Sequence, residues 1–142
     1  MTRPKRIVMD ANILIRAVLG VRVTALLERY SGHVGFYTPE RCFEDAARYL
    51  PPIFAKRPHM DLGTAMQALS VLMRIVHPLD ETVYNTFEAE ARRRIEAFDP
   101  HDWPIVALSM FLDCPIWTED KDFFGIGIPT WRTQNVEIYL SD

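Results

Sequence analysis

Cysteine is scarce. Cys42 and Cys114 are the two in the chain, too few and too isolated for a disulfide framework or a zinc site, so they read as buried reduced thiols. Long hydrophobic runs are also missing. The longest, IVALSMFL from Ile105 to Leu112, falls well short of the ~18–20 residues that a membrane span requires. The first residues, MTRPKRIVMD, are basic but reach Asp10 before an apolar stretch of signal-peptide length forms, so a cytoplasmic protein with no membrane segment is expected. Repeats, low-complexity tracts and linker-like stretches are lacking too, and residues 1–142 read as one domain.

A surplus of positive charge is the last thing missing. Sixteen Lys and Arg stand against nineteen Asp and Glu, giving a net charge of −3, whereas phosphate binders usually carry a basic excess. This does not exclude a polyanionic substrate. Four of the acids are argued below to share one metal site, and divalent ions bound there would reverse the sign of the whole. What is present is ordinary for a folding domain: 49% apolar and 25% charged residues, far from disordered or collagenous chains.

Apolar periodicity sketches the elements. Arg6 to Met9 is compact and apolar enough for a buried parallel strand; ILIRAVLG then makes a short helix ended by Gly20. A second helix covers Val23 to Tyr30 and a strand Val34 to Thr38. The next helix opens at Pro39, buries Phe43, Ala46, Ala47 and Leu50, and is expected to stop at Pro51 and Pro52. From Asp61 to Val76 one apolar stripe holds Leu62, Met66, Leu69, Met73 and Val76, and a second holds Ala65, Ala68, Leu72 and Ile75. That is more apolar face than one sheet needs, and two readings stand: a helix buried deeply in its own fold, or one shared with another chain, a homodimer or a partner protein.

A short strand within Ile75 to Asp80 precedes a helix carrying Val83, Phe87, Ala91, Ile95 and Phe98. Asp102 then suits the N-cap of a nearly all-apolar internal helix, Trp103 to Leu112. Strands follow at Pro115 to Trp117 and Ile128 to Trp131. Strands alternating with helices imply an α/β fold, a three-layer α/β/α sandwich around a mainly parallel sheet.

Sites in such sheets lie beyond the carboxyl ends of the strands. Asp10 follows the first strand, Asp120 and Asp122 follow the strand ending at Trp117, Asp102 opens the internal helix, and Glu44 sits beside Phe43 at the edge of a buried stripe. Carboxylates gathered this way raise one another's pKa unless cations occupy the site. Oxygen-only ligands select hard ions, Mg²⁺ or Mn²⁺, and the chemistry such ions serve is phosphodiester cleavage. Taken singly, each acid also reads as a cap, a turn former or a solvated helix residue.

VMDANILIRAVL, PERCFEDAARYL, DPHDWPIVALSMFL and CPIWTEDKDFFGIG occur in the order and spacing of the PIN-domain family, over nearly the whole chain. The chain resembles the compact bacterial type, which includes the toxins of VapC-like toxin–antitoxin pairs. That resemblance implies a central parallel sheet flanked by helices and a metal-dependent ribonuclease acting on single-stranded RNA, with an antitoxin as partner. The family's first acid matches Asp10, its helical glutamate Glu44, and its central aspartate Asp102. Its last motif matches Thr118, Asp120, Asp122 and Phe123, with Asp122 a second-tier ligand through water. Asn12 and Thr118 would support the ligands from behind.

Alternatives stand beside two of these matches. Asp99 competes with Asp102, which is favoured because the apolar helix begins directly after it. Glu40 and Asp45 compete with Glu44, with Asp45 expected to point further from the sheet. Arg92, Arg93 and Arg94 read as a solvated helix face, Trp103 and Trp131 as core, and His101 and Lys121 as loop residues. A phosphoacceptor receiver domain, which also clusters acids with a threonine and a lysine, and an inactive PIN-type binding module are the competing functions.

Overall fold

The computed structural model describes residues 4–141; Met1 to Arg3, part of the basic N-terminal stretch, and Asp142 lie outside the described residues. The chain opens with β1 (Lys5–Met9), whose Ile7, Val8 and Met9 are fully buried, as befits a strand covered on both faces. After α1 (Ala11–Leu19) and α2 (Arg22–Tyr30) it returns as β2 (Val34–Pro39), parallel to β1. Then come α3 (Glu40–Ala55), α4 (Leu62–Leu72) and β3 (Val76–Leu79). The second half holds α5 (Glu81–Tyr84), α6 (Glu88–Arg94), α7 (Trp103–Leu112), β4 (Ile116–Trp117), β5 (Thr130–Trp131) and α8 (Val136–Leu140).

The five strands among the described residues are all parallel, in the order β3-β2-β1-β4-β5. From β1 the chain builds outward through β2 and β3, then crosses to the other side of β1 for β4 and β5. The order therefore reverses between β1 and β4, and a crevice opens beyond the carboxyl ends of these two strands. Helix α7 is buried along almost its whole length and packs on β1, β2 and β4. Helices α5 and α6 lie against it, while α1 packs on α2, α3 and α4, completing an α/β/α sandwich. No helix among the described residues is long and apolar enough to cross a membrane. Both cysteines are buried, and burial pushes the Cys42 thiol up to about 12.

Four local expectations need correction. Helix α3 does not stop at Pro51 and Pro52 but runs through both to Ala55. The prolines are exposed, while Leu50 before them and Phe54 after them are buried, so core packing carries the helix past two missing N–H donors. The helix expected from Val83 to Phe98 is two helices, α5 and α6, joined by a 3-10 turn at Asn85–Phe87. Tyr84 is buried there, with its ring 5.7 Å edge-on from that of Trp103.

Neither apolar stripe of α4 is buried as a unit. The helix ends at Leu72, short of the expected Val76, which opens β3; its core face mixes the two stripes, Ala65, Leu69 and Leu72, and leaves Val71, and Met73 just after the helix, exposed. Finally, Asp102 stands at the cap position of α7 but makes no side-chain cap hydrogen bond. Asp99 does the capping one turn earlier, accepting from the backbone N–H of His101 at 2.9 Å.

Candidate active site

Register brings the first two groups together. Met9 pairs with Trp117 across the β1–β4 boundary, so the residues that follow them, Asp10 and Thr118, emerge side by side at the crevice. The Thr118 hydroxyl donates to Asp10 Oδ2, and both residues are buried. Asp10 Oδ1 accepts from the backbone N–H of Ile13 at 3.0 Å, so the same carboxylate caps α1. With both oxygens engaged, its orientation is set by the backbone on either side.

Thr118 fixes a second acid as well. Its hydroxyl oxygen accepts from the backbone N–H of Asp120 at 2.9 Å, and Asp120 Oδ1 accepts from the N–H of Asp122 at 2.9 Å. Glu119 between them is drawn elsewhere, accepting from the Thr133 backbone N–H at 2.7 Å and from Arg132. The alternation of the chain after β4 thus turns Asp120 to the crevice and Glu119 to the β5 side. Across from them, the Thr38 hydroxyl at the end of β2 donates to the Met9 carbonyl at 2.7 Å and ties the two strand ends together.

The crevice continues into a cleft of about 1280 Å³. Asp10, Glu44, Asp102 and Asp120 all line it, as does Asn12. Asp122 is not among the lining residues, although its charge acts on Asp102. Asp99 and Asp45 line the cleft too. Asp45 stands beside Glu44 on the cleft wall, ion-paired with Arg48 one turn along α3.

Crowding of these acids registers in their proton affinity. Burial pushes the Asp10 carboxyl up to about 6, against hydrogen bonds from Thr118 and Ile13 that pull it down, with Asp120 and Glu119 adding to the rise. Burial likewise raises Asp102 to about 7, reinforced by Asp99, Asp120, Asp10 and Asp122 in that order. Buried carboxyls raised by one another in a cleft are a pattern that gathers at functional sites. Among the described residues, no three acidic, histidine or cysteine side chains are grouped closely enough to hold a metal ion as they stand.

The remaining sequence candidates fall mostly into structural roles. Arg92 and Arg93 are exposed and paired with Glu88 and Glu90 along α6. Trp103 is buried, and Trp131 stacks on Tyr139. His101 lines the cleft from its exposed loop. Sequence reasoning missed Arg41, Arg48 and Tyr49, which line the same cleft from α3. Their spacing of seven and eight residues is a helical one, but on a helix face that carries no apolar stripe it reads from sequence as solvated surface.

Comparison with known proteins agrees with this architecture. No curated protein matches the chain in sequence. Among solved structures, VapBC2 from Rickettsia felis, bound to a DNA fragment from their promoter, contains a similar chain at TM-score 0.68 and 11% identity, covering 89% of this chain and 98% of that one. FitAcB from Neisseria gonorrhoeae matches at TM-score 0.59 and 17% identity, over 91% of this chain and 99% of that one. FitAB bound to the IR36 DNA fragment matches at 0.57 and 16%, over 89% and 94%. At such identities the likeness is one of fold. The sequence itself matches the family model of the PIN domain over residues 8–141, a stretch that runs from within β1 to the end of α8 and includes every acid in the cleft, and the chain belongs to the PIN domain family.

Proposed function

We propose that this protein is an endoribonuclease that hydrolyses single-stranded RNA with Mg²⁺ or Mn²⁺, and that it is the toxin of a toxin–antitoxin pair. The observation that carries this reading is the pair of acids Asp10 and Asp102, raised to about 6 and about 7, in a cleft shared with Glu44 and Asp120. Asp102 matters most here, because a half-buried carboxyl that caps nothing and is surrounded by like charge has no structural reason to be there.

The donor set fits the ion. The four acids offer oxygen alone, which hard ions take; of the two softer donors that line the cleft, Cys42 is buried with its thiol pushed up to about 12 and His101 stands on an exposed loop. Asp10, Glu44, Asp102 and Asp120 would hold the metal, with Asp122 acting through water. A divalent ion bound there supplies Lewis acidity and charge neutralisation for attack on a phosphodiester. The protein's own groups then do the positioning. Thr118 locks the Asp10 carboxylate and the turn carrying Asp120, Ile13 N–H holds the other Asp10 oxygen, and Asn12 stands at the cleft to orient water or substrate.

Purified protein is expected to cut single-stranded RNA with Mg²⁺ or Mn²⁺ and to stop when EDTA is in excess. Cleavage undiminished by chelator would refute the metal mechanism, and no cleavage of any RNA with either ion would leave a PIN-type binding module instead. The family match speaks against a receiver domain.

An antitoxin partner is supported by the likeness to chains of the VapBC2 and FitAB assemblies and by the VapC-like motifs. We assign the contact with a partner, or with a second copy of this chain, to α4, where Val71 is 52% and Met73 43% exposed. Replacing both by glutamate should shift a dimer to monomer in light scattering. An unchanged mass would move the contact elsewhere.

A further inference from the structure

The cleft is larger than an ion and its ligands need, and its far wall has a distinct character. Helix α3 contributes Arg41, Glu44, Asp45, Arg48, Tyr49 and Pro52, positions that recur every three to four residues along one face of the helix. Acids occupy the middle of this stripe, and cation and aromatic ring come one turn later. Tyr49 keeps 53% of its surface in solvent although it lines a cleft, an unusual setting for a large aromatic. The Arg48 guanidinium lies over its ring, 5.6 Å from the centroid, which steadies the ring while leaving the arginine 68% exposed. The other phenyl ring lining the cleft, Phe123, is buried and cannot receive a ligand face to face.

We infer that Tyr49 is a stacking platform for an unpaired base of the RNA, with Arg48 meeting the backbone phosphate beside it. The inference rests on the nuclease reading and adds to it the residue that selects single strands. A base within a duplex is stacked on its neighbours and has no free face, so a platform of this kind accepts splayed, single-stranded nucleotides. Glu44 and Tyr49 are five residues apart, ~7.5 Å along the helix, so the stacked base belongs to a nucleotide close to the bond being cut. The paired acids and Arg48 along the same stripe suit this order. Arg48 pairs with Asp45 one turn back yet keeps most of its side chain in solvent, where a phosphate can meet it.

The test compares the wild type, Tyr49→Ala and Tyr49→Phe on one short single-stranded oligoribonucleotide, measuring kcat and KM with Mn²⁺, together with a second oligonucleotide made abasic beside the cleavage position. Loss of one stacked base is worth roughly 5- to 100-fold in binding. Tyr49→Ala should raise KM by that factor with a smaller change in kcat, Tyr49→Phe should keep the wild-type KM, and the abasic strand should bind wild type and Tyr49→Ala equally. Tyr49→Ala with wild-type KM, or Tyr49→Phe as impaired as Tyr49→Ala, overturns the stacking role while leaving the nuclease standing. If the wild type neither binds nor cuts the intact strand, both readings fall. Since Tyr49 is exposed, none of these variants is expected to lose its fold, and a circular dichroism melt of each checks that.

Discussion

Asp102→Asn is expected to melt higher than the wild type when metal is absent near neutral pH, and to lose nearly all cleavage. The Asp102 side chain forms no capping hydrogen bond, so asparagine removes no structural contact at α7. What it removes is a charge that burial, Asp99, Asp120, Asp10 and Asp122 all oppose, as the rise of its carboxyl to about 7 records. For a fully buried group that rise would correspond to several kcal/mol; with partial solvent screening, about 1–2 kcal/mol is the appropriate scale. In a domain of this size that is a gain of about 3–8 °C. Cleavage should fall by more than ~100-fold, because residues that merely orient metal ligands already cost 10- to 100-fold when lost. Calorimetry in EDTA and a cleavage assay in Mn²⁺ give the two readouts. A variant that melts lower and still cuts would take Asp102 out of the site.

The second large effect is on stability against pH. Asp10 and Asp102 have folded-state values of about 6 and about 7, both raised from 3.8. Below pH ~3 both groups are protonated whether the chain is folded or not, and they cost nothing. As pH climbs from there to 7, the unfolded chain releases these protons while the folded one retains them or bears the charge. The contribution of the pair to stability therefore declines across that window and is constant above it. Metal that binds only the folded cleft adds RT ln(1 + [M]/Kd), or about 2.7 kcal/mol at a hundredfold excess over Kd.

Protons compete for the same oxygens, so this gain should be full at pH 8 and largely gone at pH 5. Melting curves at the two pH values, each with EDTA and with saturating Mg²⁺, measure it directly. Equal gains at both pH values would mean that the ion binds somewhere other than Asp10 and Asp102.

How much of this was legible in the sequence depended on the range of the forces involved. Strands such as β1 and β2 announce themselves by compact apolar runs, and α7 by being apolar all round, since burial on every side leaves no other reading. The acids at strand ends followed from the general rule for parallel sheets, given the right strands. The course of α3 was not legible, because two adjacent prolines outweigh any local helical preference, and only the burial of Phe54 beyond them holds the helix together. Nor could the sequence separate Glu44 from Asp45: both reach the cleft, and only the pairing of Asp45 with Arg48 distinguishes them. The hydroxyl bridge from Thr118 to Asp10 depends on strand register between residues far apart in the chain, which no local pattern encodes.

The two margins of the sheet limit how this protein can associate. A long, regular outer strand exposes a row of backbone donors and acceptors on which another chain can nucleate a continuous ribbon. At one margin β3 is four residues long and carries Pro78, which has no N–H to offer; at the other β5 is two residues long. Neither margin can template further pairing, so the protein is shielded from runaway strand-to-strand polymerisation. A chain that must keep its all-parallel, slowly formed sheet from seeding aggregates while it folds gains most from such blunt borders, and any assembly it enters is steered toward its helices.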